Sequence, residues 1–299
     1  MHETLDNGER ARNRAVAALE GLSVGDAFGQ TFFGSIERAQ GRIEHRIVEP
    51  GPWPWTDDTA MALSIVQVLR ESGTIDQDLL ASAFGGAYRS EPWRGYGPAM
   101  FSLLERYVDG ADWRAMAAAQ FGGTGSFGNG SAMRVAPVGA YFADDLDLAA
   151  SSAADSAVVT HAHPEAVAGA VAVAVASALA AGDPSLAGTS FITEVAERTP
   201  KGEVRDGLRK AALVPGEMDV LAVALVLGSG SDISCQDTVP FTVWSAAHRL
   251  DDFEAAMWTT VAGFGDMDTT CAIVGGIVGA RVGVEGIPEP WRAAREPLP

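Results

Sequence analysis

The sequence predicts an all-α fold: a compact single domain in which many helices pack around one shared core. Three observations lead there. Apolar residues recur at helical spacing through most of the 299 residues. Strand-type alternation is scarce. No internal repeat and no long linker divides the chain, so apolar helices with little strand argue for a single multi-helix bundle. A hydrophobic share of 47% can fill a sizeable core. The domain is expected over 1–299, with 1–8 and 288–299 as peripheral tails.

The expected elements follow in chain order. Arg10–Leu22 reads as an amphipathic opening helix. Asp58–Glu71 (DTAMALSIVQVLRE) sets apolar residues at helical spacing behind a starting Asp. Asp76–Tyr88, Ala99–Val108, Trp113–Gln120 and Leu146–Ser156 come next, then a long Ala/Val helix over Pro164–Ala181. That helix holds most of the longest apolar run, Ala166–Gly182, which is a little short for a membrane span and built of small side chains, so it reads as buried. Gly188–Arg198, Glu203–Leu213, Asp219–Leu227, Val239–Arg249 and Asp252–Ala262 precede a last helix over Thr269–Val284. Gly275, Gly276, Gly279 and Gly283 lie in that last helix, where each glycine costs about 1 kcal/mol relative to alanine. Close approach of neighbouring helices is the expected gain. Gly-rich loops (Gly122–Gly130, Gly228–Ser231, Gly263–Gly265) and Pro-rich stretches (Gly51–Trp55, Ile287–Pro299) separate the helices.

The charge balance narrows the partners. There are 39 Asp+Glu against 21 Lys+Arg, a formal net charge of −18. Such a surface repels nucleic-acid phosphates and anionic membranes, so neither is an expected partner. A negatively charged substrate would need local help from metal ions, helix N-termini or a few arginines. The two cysteines, Cys235 and Cys271, make no disulfide framework and no cysteine-based zinc site. Met1–Arg14 is charged and lacks an apolar signal core, so a cytoplasmic setting is the expectation; the sequence is silent on oligomeric state, with a monomer as the default.

Two clusters carry the chemistry. Thr56-Asp57-Asp58-Thr59 opens one helix and Asp266-Met267-Asp268-Thr269 opens another. Asp and Thr cap helices well, so two ordinary caps are one reading. Each cluster, however, holds two carboxylates and a hydroxyl where a cap needs one group. Neighbouring carboxylates repel unless a cation lies between them, and oxygen-only ligands suit Mg²⁺, Mn²⁺ or Ca²⁺. Gly123–Gly128 spells GxGxxG but follows a helix, so it is no dinucleotide fingerprint. Its backbone amides could still hold a phosphate, with Arg134 adding charge. His161 and His163 read as hydrogen-bonded structural or pocket histidines, Ser131 lacks the frame of a nucleophile elbow, and Trp53, Trp55, Trp93 and Tyr96 read as core with base stacking as the alternative.

Taken together and in order, six segments resemble the ADP-ribosylglycohydrolase family. They are Gly21-Leu22-Ser23-Val24-Gly25-Asp26-Ala27-Phe28-Gly29; Trp55 to Thr59; Gly128-Asn129-Gly130-Ser131-Ala132-Met133-Arg134 with Pro137; Thr160 to Ala166 (THAHPEA); Asp237-Thr238-Val239-Pro240; and Gly265 to Thr269 (GDMDT). The resemblance implies a compact all-α bundle with a dinuclear Mg²⁺ or Mn²⁺ site whose ligands are Thr56, Asp57, Asp58, Asp266, Asp268 and Thr269. It implies hydrolysis of the glycosidic bond between ADP-ribose and an acceptor, assisted by Asp57, Asp58 or Asp266. It also implies substrate contacts at Gly125, Ser126, Gly128, Asn129, Gly130, Ser131, Met133 and His161. Many members carry a glutamate where this chain has Phe33. That departure marks Phe33 as a substrate-side position and opens a second reading, a non-catalytic ADP-ribose sensor. A magnesium-dependent phosphohydrolase is a third.

Overall fold

The computed structural model describes residues 7–299; the part of the expected N-terminal tail over 1–6 lies outside the described residues. Sixteen α-helices and two short 3₁₀ turns make up the described fold, and strand pairing among these residues is limited to two isolated bridges. The helices are α1 (Asn7–Gln30), α2 (Ile36–Glu44), α3 (Asp57–Ser72), α4 (Gln77–Ser90), α5 (Pro98–Val108), α6 (Trp113–Gly123), α7 (Ala136–Tyr141) and α8 (Leu146–Val158). Then come α9 (Pro164–Gly182), α10 (Gly188–Arg198), α11 (Glu203–Ala211), α12 (Val220–Leu227), α13 (Cys235–Ala247), α14 (Phe253–Val261), α15 (Met267–Val282) and α16 (Glu289–Ala294).

The centre is built from α1 and α15, which run antiparallel at very short range. A Cβ placed on Gly25 would lie 2.7 Å from the carbonyl carbon of Cys271; one on Gly29 would lie 2.7 Å from that of Met267; one on Gly279 would lie 2.9 Å from Gly21 Cα. The glycines at 21, 25 and 29 form an i, i+4, i+8 ridge that meets Gly275 and Gly279, so the backbones touch directly. This contact explains a difference from expectation. The opening helix continues to Gln30, eight residues past Leu22, because packing outweighs the poor helix propensity of its glycines. Gly276 fits against Ala136 on α7. Gly283 differs from its neighbours. It ends α15 at φ +71° with open space around it, so it serves conformation and not approach.

The long apolar helix α9 has the length and composition of a membrane span, yet 78% of its most apolar window is buried inside the protein. It packs against α7, α8, α13 and α15 as a core helix.

The segment 288–299 is not a peripheral tail. Trp291 on α16 is buried and stacks on Phe28 of α1, with ring centroids 4.6 Å apart, within a cluster that includes Trp53 and Trp258. Each such pair adds about 0.5–1.5 kcal/mol beyond area burial. The backbone joins in: Trp53 N–H donates to Ala294 O, and Glu296 N–H donates to Trp53 O at 2.8 Å. Arg94 lies over the Trp55 ring, donates to Trp55 O at 3.1 Å and pairs with Glu296 at 2.7 Å. The C-terminal segment therefore clamps residues 53–55, which lead directly into Thr56.

Candidate metal centre and cavity

Both Asp/Thr clusters sit at helix N-termini, as the residue types predict, and the α1–α15 contact brings them face to face. Thr56 occupies the N-cap of α3, and Asp266 that of α15. The two differ as caps. The Thr56 hydroxyl accepts a long 3.4 Å bond from Asp58 N–H, whereas the Asp266 side chain makes no cap bond to its own helix. Instead Asp266 Oδ2 accepts from Asn129 Nδ2 at 2.7 Å, and the second Nδ2 hydrogen goes to Thr238 Oγ1 at 3.1 Å. The Asn-Gly turn thus steers Asp266, and capping alone does not account for its position.

A fifth acid joins the four of the two clusters. Asp26, about one turn before the C-terminal end of α1, is fully buried. Carboxylate oxygens of Asp26, Asp58 and Asp268 all lie within 4.8 Å of one another. Burial first, and the neighbouring carboxylates next, push Asp57 up to about 7 and hold Asp58 and Asp268 well above the ordinary carboxylate range. Burial likewise raises Asp26 to about 6 against four hydrogen bonds that favour its charge. Asp58 Oδ1 is buried without any hydrogen-bond partner. An orphaned carboxylate oxygen among mutually repelling acids is the environment that a hard divalent cation relieves, so these residues fit the expected metal.

The acids form one wall of a cavity of about 400 Å³, within the roughly 300–1,000 Å³ range of small-molecule sites. Asp57, Asp58, Asp266, Asp268 and Thr269 line it, as do Ser126, Gly128, Asn129, Gly130, Met133 and His161. A larger groove of about 1,110 Å³, between α1, α3, α4 and Leu298–Pro299, shares none of these residues. Thr56 sits behind Asp58, outside the lining. Gly125 is pressed against the Ala162–His163 backbone. Ser131 is buried and donates to Ala166 O at 2.9 Å, which leaves its hydroxyl engaged. Phe33 is 47% exposed and outside the cavity lining, although the sequence pointed to it as a substrate-side position.

Arg134 also departs from expectation. It is fully buried, and burial pushes it down to about 9. Its guanidinium donates to Ser156 O (3.0 Å) and Thr160 Oγ1 (2.8 Å) and lies over the Phe84 ring, so it is not itself part of the cavity lining. Its effect is indirect. Thr160 Oγ1 lies 2.7 Å from His161 Nδ1, and arginine cannot accept the threonine proton. Among these partners the threonine hydroxyl therefore donates to an unprotonated Nδ1, which leaves the ring's own proton on Nε2, a donor among the cavity glycines. Burial, and then Arg134, push His161 down to about 3, so the ring is neutral. His163 caps α9 and packs edge-on against Phe127.

Two aromatic residues at the mouth were missed by sequence reasoning. α6 unwinds at Gln120–Gly122 and carries Phe121 in a left-handed conformation (φ +49°). Phe121 stacks against Phe127, with centroids 6.4 Å apart, and both rings remain exposed along the cavity lining. A non-glycine residue at such a φ is uncommon and marks a position held for a purpose. Trp53, Trp55 and Tyr96, the aromatics first considered for stacking, are buried in the core, while Trp93 is exposed away from the cavity lining.

A sequence model of the ADP-ribosylglycohydrolase family matches residues 7–297. ADP-ribosylhydrolase ARH3 of Danio rerio is 27% identical, over 95% of this chain and 86% of that protein. The ADP-ribosylarginine hydrolase Tri1 of Serratia proteamaculans is 26% identical, over 93% of this chain and 74% of Tri1. Among solved structures, a chain of an ADP-ribosylglycohydrolase-related protein complex superimposes with a TM-score of 0.58 at 25% identity, covering 96% of this chain and 94% of that one.

Proposed function

The chain belongs to the ADP-ribosylglycohydrolase family, and from that premise we propose that it is a divalent-metal-dependent hydrolase that cleaves ADP-ribose from an acceptor. The observation that carries the reading is the cavity itself. One wall is acidic and contains the orphaned Asp58 Oδ1; beside it lie the Ser126–Gly130 loop and His161. The names of the relatives, ADP-ribosylhydrolase and ADP-ribosylarginine hydrolase, support the substrate class.

Thr56, Asp57, Asp58, Asp266, Asp268 and Thr269 would hold two Mg²⁺ or Mn²⁺ ions. When bound, such ions orient ribose hydroxyls and lower the pKa of water. The rest falls to the chain's own groups. The Gly128 and Asn129 amides are held by Ser126 Oγ and Ile233 O, so the amides of Ser126, Phe127 and Gly130, with the His161 Nε2–H, would be the donors to a diphosphate, which a protein of net charge −18 must otherwise repel. Phe121 and Phe127 offer faces for a base. Asp57 and Asp266 are only half-buried and line the cavity, which suits them to take a proton from water attacking the ribose C1″. Asp58, 2% exposed, is better placed as a ligand.

The test is a panel of ADP-ribosylated acceptors hydrolysed with and without EDTA, by the wild type and by Asp57→Ala and Asp266→Ala. Metal-dependent release of ADP-ribose, lost in both variants, is the expected result. Full activity in either variant, or after metal stripping, overturns it. The sensor reading predicts tight ADP-ribose binding with no turnover of any acceptor. Phe33→Glu in the same panel tests the departure from the family pattern: movement of activity toward other acceptors would tie that position to specificity.

A further inference from the structure

We propose that Asp26 is a positioning residue that makes Thr56 a cation ligand, and is not a ligand itself. The proposal rests on the reading that the acid cluster holds divalent cations. Proximity alone suggests the opposite, since the Asp26 carboxylate lies with those of Asp58 and Asp268 inside 4.8 Å. Its hydrogen bonds decide otherwise.

Asp26 Oδ1 accepts from Thr56 Oγ1 at 2.8 Å. Asp26 Oδ2 accepts from Thr56 N–H at 2.9 Å, Thr59 N–H at 3.2 Å and Thr59 Oγ1 at 2.5 Å. Each carboxylate oxygen has about two acceptor positions: Oδ2, with three donors, has none left, and Oδ1 spends one on the Thr56 hydroxyl. A cation could bind Oδ2 only by displacing a donor from a fully buried site, and at Oδ1 it would crowd the proton that Thr56 Oγ1 donates there. Two of those donors are backbone amides of the first turn of α3, which have no partner within their own helix. Asp26 therefore caps α3 from a neighbouring helix, and the Gly25 and Gly29 contacts with α15 fix where it stands.

The consequence for Thr56 follows from its single hydroxyl proton. Two acceptors compete for it: Asp26 Oδ1 at 2.8 Å and Asp58 Oδ2 at 3.1 Å. A hydroxyl ligates a metal through a lone pair, so its proton must point elsewhere. A proton given to Asp58 would occupy an oxygen of the ligand wall. A proton given to Asp26, the nearer acceptor, leaves the Asp58 carboxylate and the Thr56 lone pair that does not accept from Asp58 N–H open toward the cation. Partners of this kind around a metal site shift affinity by about 10- to 100-fold when removed.

The experiment is a double-mutant cycle on Mn²⁺ binding. Calorimetric affinity and Mn²⁺ ions retained per chain would be measured for the wild type, Asp26→Asn, Thr56→Val and the double variant. Each single variant is expected to bind about 10- to 100-fold more weakly with an unchanged number of ions, and the double variant to stay within about threefold of Thr56→Val. Thr56→Ser, which keeps the hydroxyl, should restore the sensitivity to Asp26→Asn that valine abolishes; a purely structural Asp26 would not distinguish the two backgrounds. Loss of a whole ion in Asp26→Asn, a further tenfold loss in the double variant, or unchanged affinity in Asp26→Asn overturns the proposal. A wild type that binds no Mn²⁺ instead defeats the cation reading beneath it. If Asp26→Asn does not fold, the same cycle runs with Asp26→Ser, which keeps an acceptor oxygen.

Discussion

Gly25→Ala probes the helix contact that brings the two acid clusters together. The new Cβ would lie 2.7 Å from the carbonyl carbon of Cys271 and nearer still to its oxygen; both are backbone atoms that cannot rotate away. α1 and α15 must separate by on the order of an ångström, and overpacking of this kind costs about 1–3 kcal/mol. Replacing a helix-interior glycine returns about 1 kcal/mol of propensity, so in the upper half of that range, where a clash with backbone atoms belongs, the net cost is on the order of 1–2 kcal/mol. At about 2–4 °C per kcal/mol for a chain approaching this size, Tm should fall by roughly 2–8 °C. The same displacement moves Asp26 and Asp58 away from Asp268, so Mn²⁺ affinity should fall together with Tm. The control is Gly41→Ala, on α2, where a Cβ meets nothing within 4 Å and propensity alone predicts a slight gain. Differential scanning calorimetry with and without Mn²⁺ reads both effects. A Gly25→Ala protein as stable and as tight for Mn²⁺ as the wild type would refute the reasoning.

Three further outcomes are expected. Without metal, the folded chain keeps protons on Asp26 and Asp57 that the unfolded chain has lost, because their pKa values stand near 6 and 7 against 3.8. Cation-free stability should therefore fall as pH rises from about 4 to 7, and Mn²⁺ should raise Tm more at pH 8 than at pH 5, as thermal scans across that range would show. Asn129→Ala removes the donor to Asp266 Oδ2 and should weaken Mn²⁺ binding by about 10-fold or more with a Tm loss of only a few degrees, checked by calorimetry. Phe121→Ala and Phe127→Ala should each raise KM for an ADP-ribosylated substrate by roughly 5- to 150-fold, the range of about 1–3 kcal/mol for a stacked base, with little change in kcat by steady-state assay.

The helical class and most element positions were legible because apolar spacing depends on burial, which the structure shares. The short helices were not. α2 and α7 offer one or two turns each, and the Pro and Gly of α7 read locally as loop. The Asp/Thr clusters stood out because carboxylates and hydroxyls gather at helix starts in excess of what a cap needs. Asp26 was quoted within a motif but not counted in the site. Its flanking glycines look like helix breakers until α15 is seen against them. The spacing of Gly21, Gly25 and Gly29, matched by Gly275 and Gly279, was the available signal. Ser131 and Arg134 illustrate the opposite difficulty. Their neighbours in the loop line the cavity, but which way each side chain turns is decided by partners far along the chain, Ala166 for one and Ser156 and Thr160 for the other.

The pairing of α1 with α15 also sets an order of events during synthesis. When α1, α3 and the Asn129 turn have left the ribosome, Asp26, Asp57 and Asp58 are already made, but Asp266 and Asp268 are not. The glycine ridge of α1 then has no partner, and the loop before Thr56 still lacks the segment around Trp291 and Glu296 that clamps it. A nascent or prematurely terminated polypeptide thus carries only half of the acidic wall and cannot close it around an ion. On the cation reading proposed above, metal acquisition would wait for translation to pass α15, and so would report that the polypeptide has been made through that point.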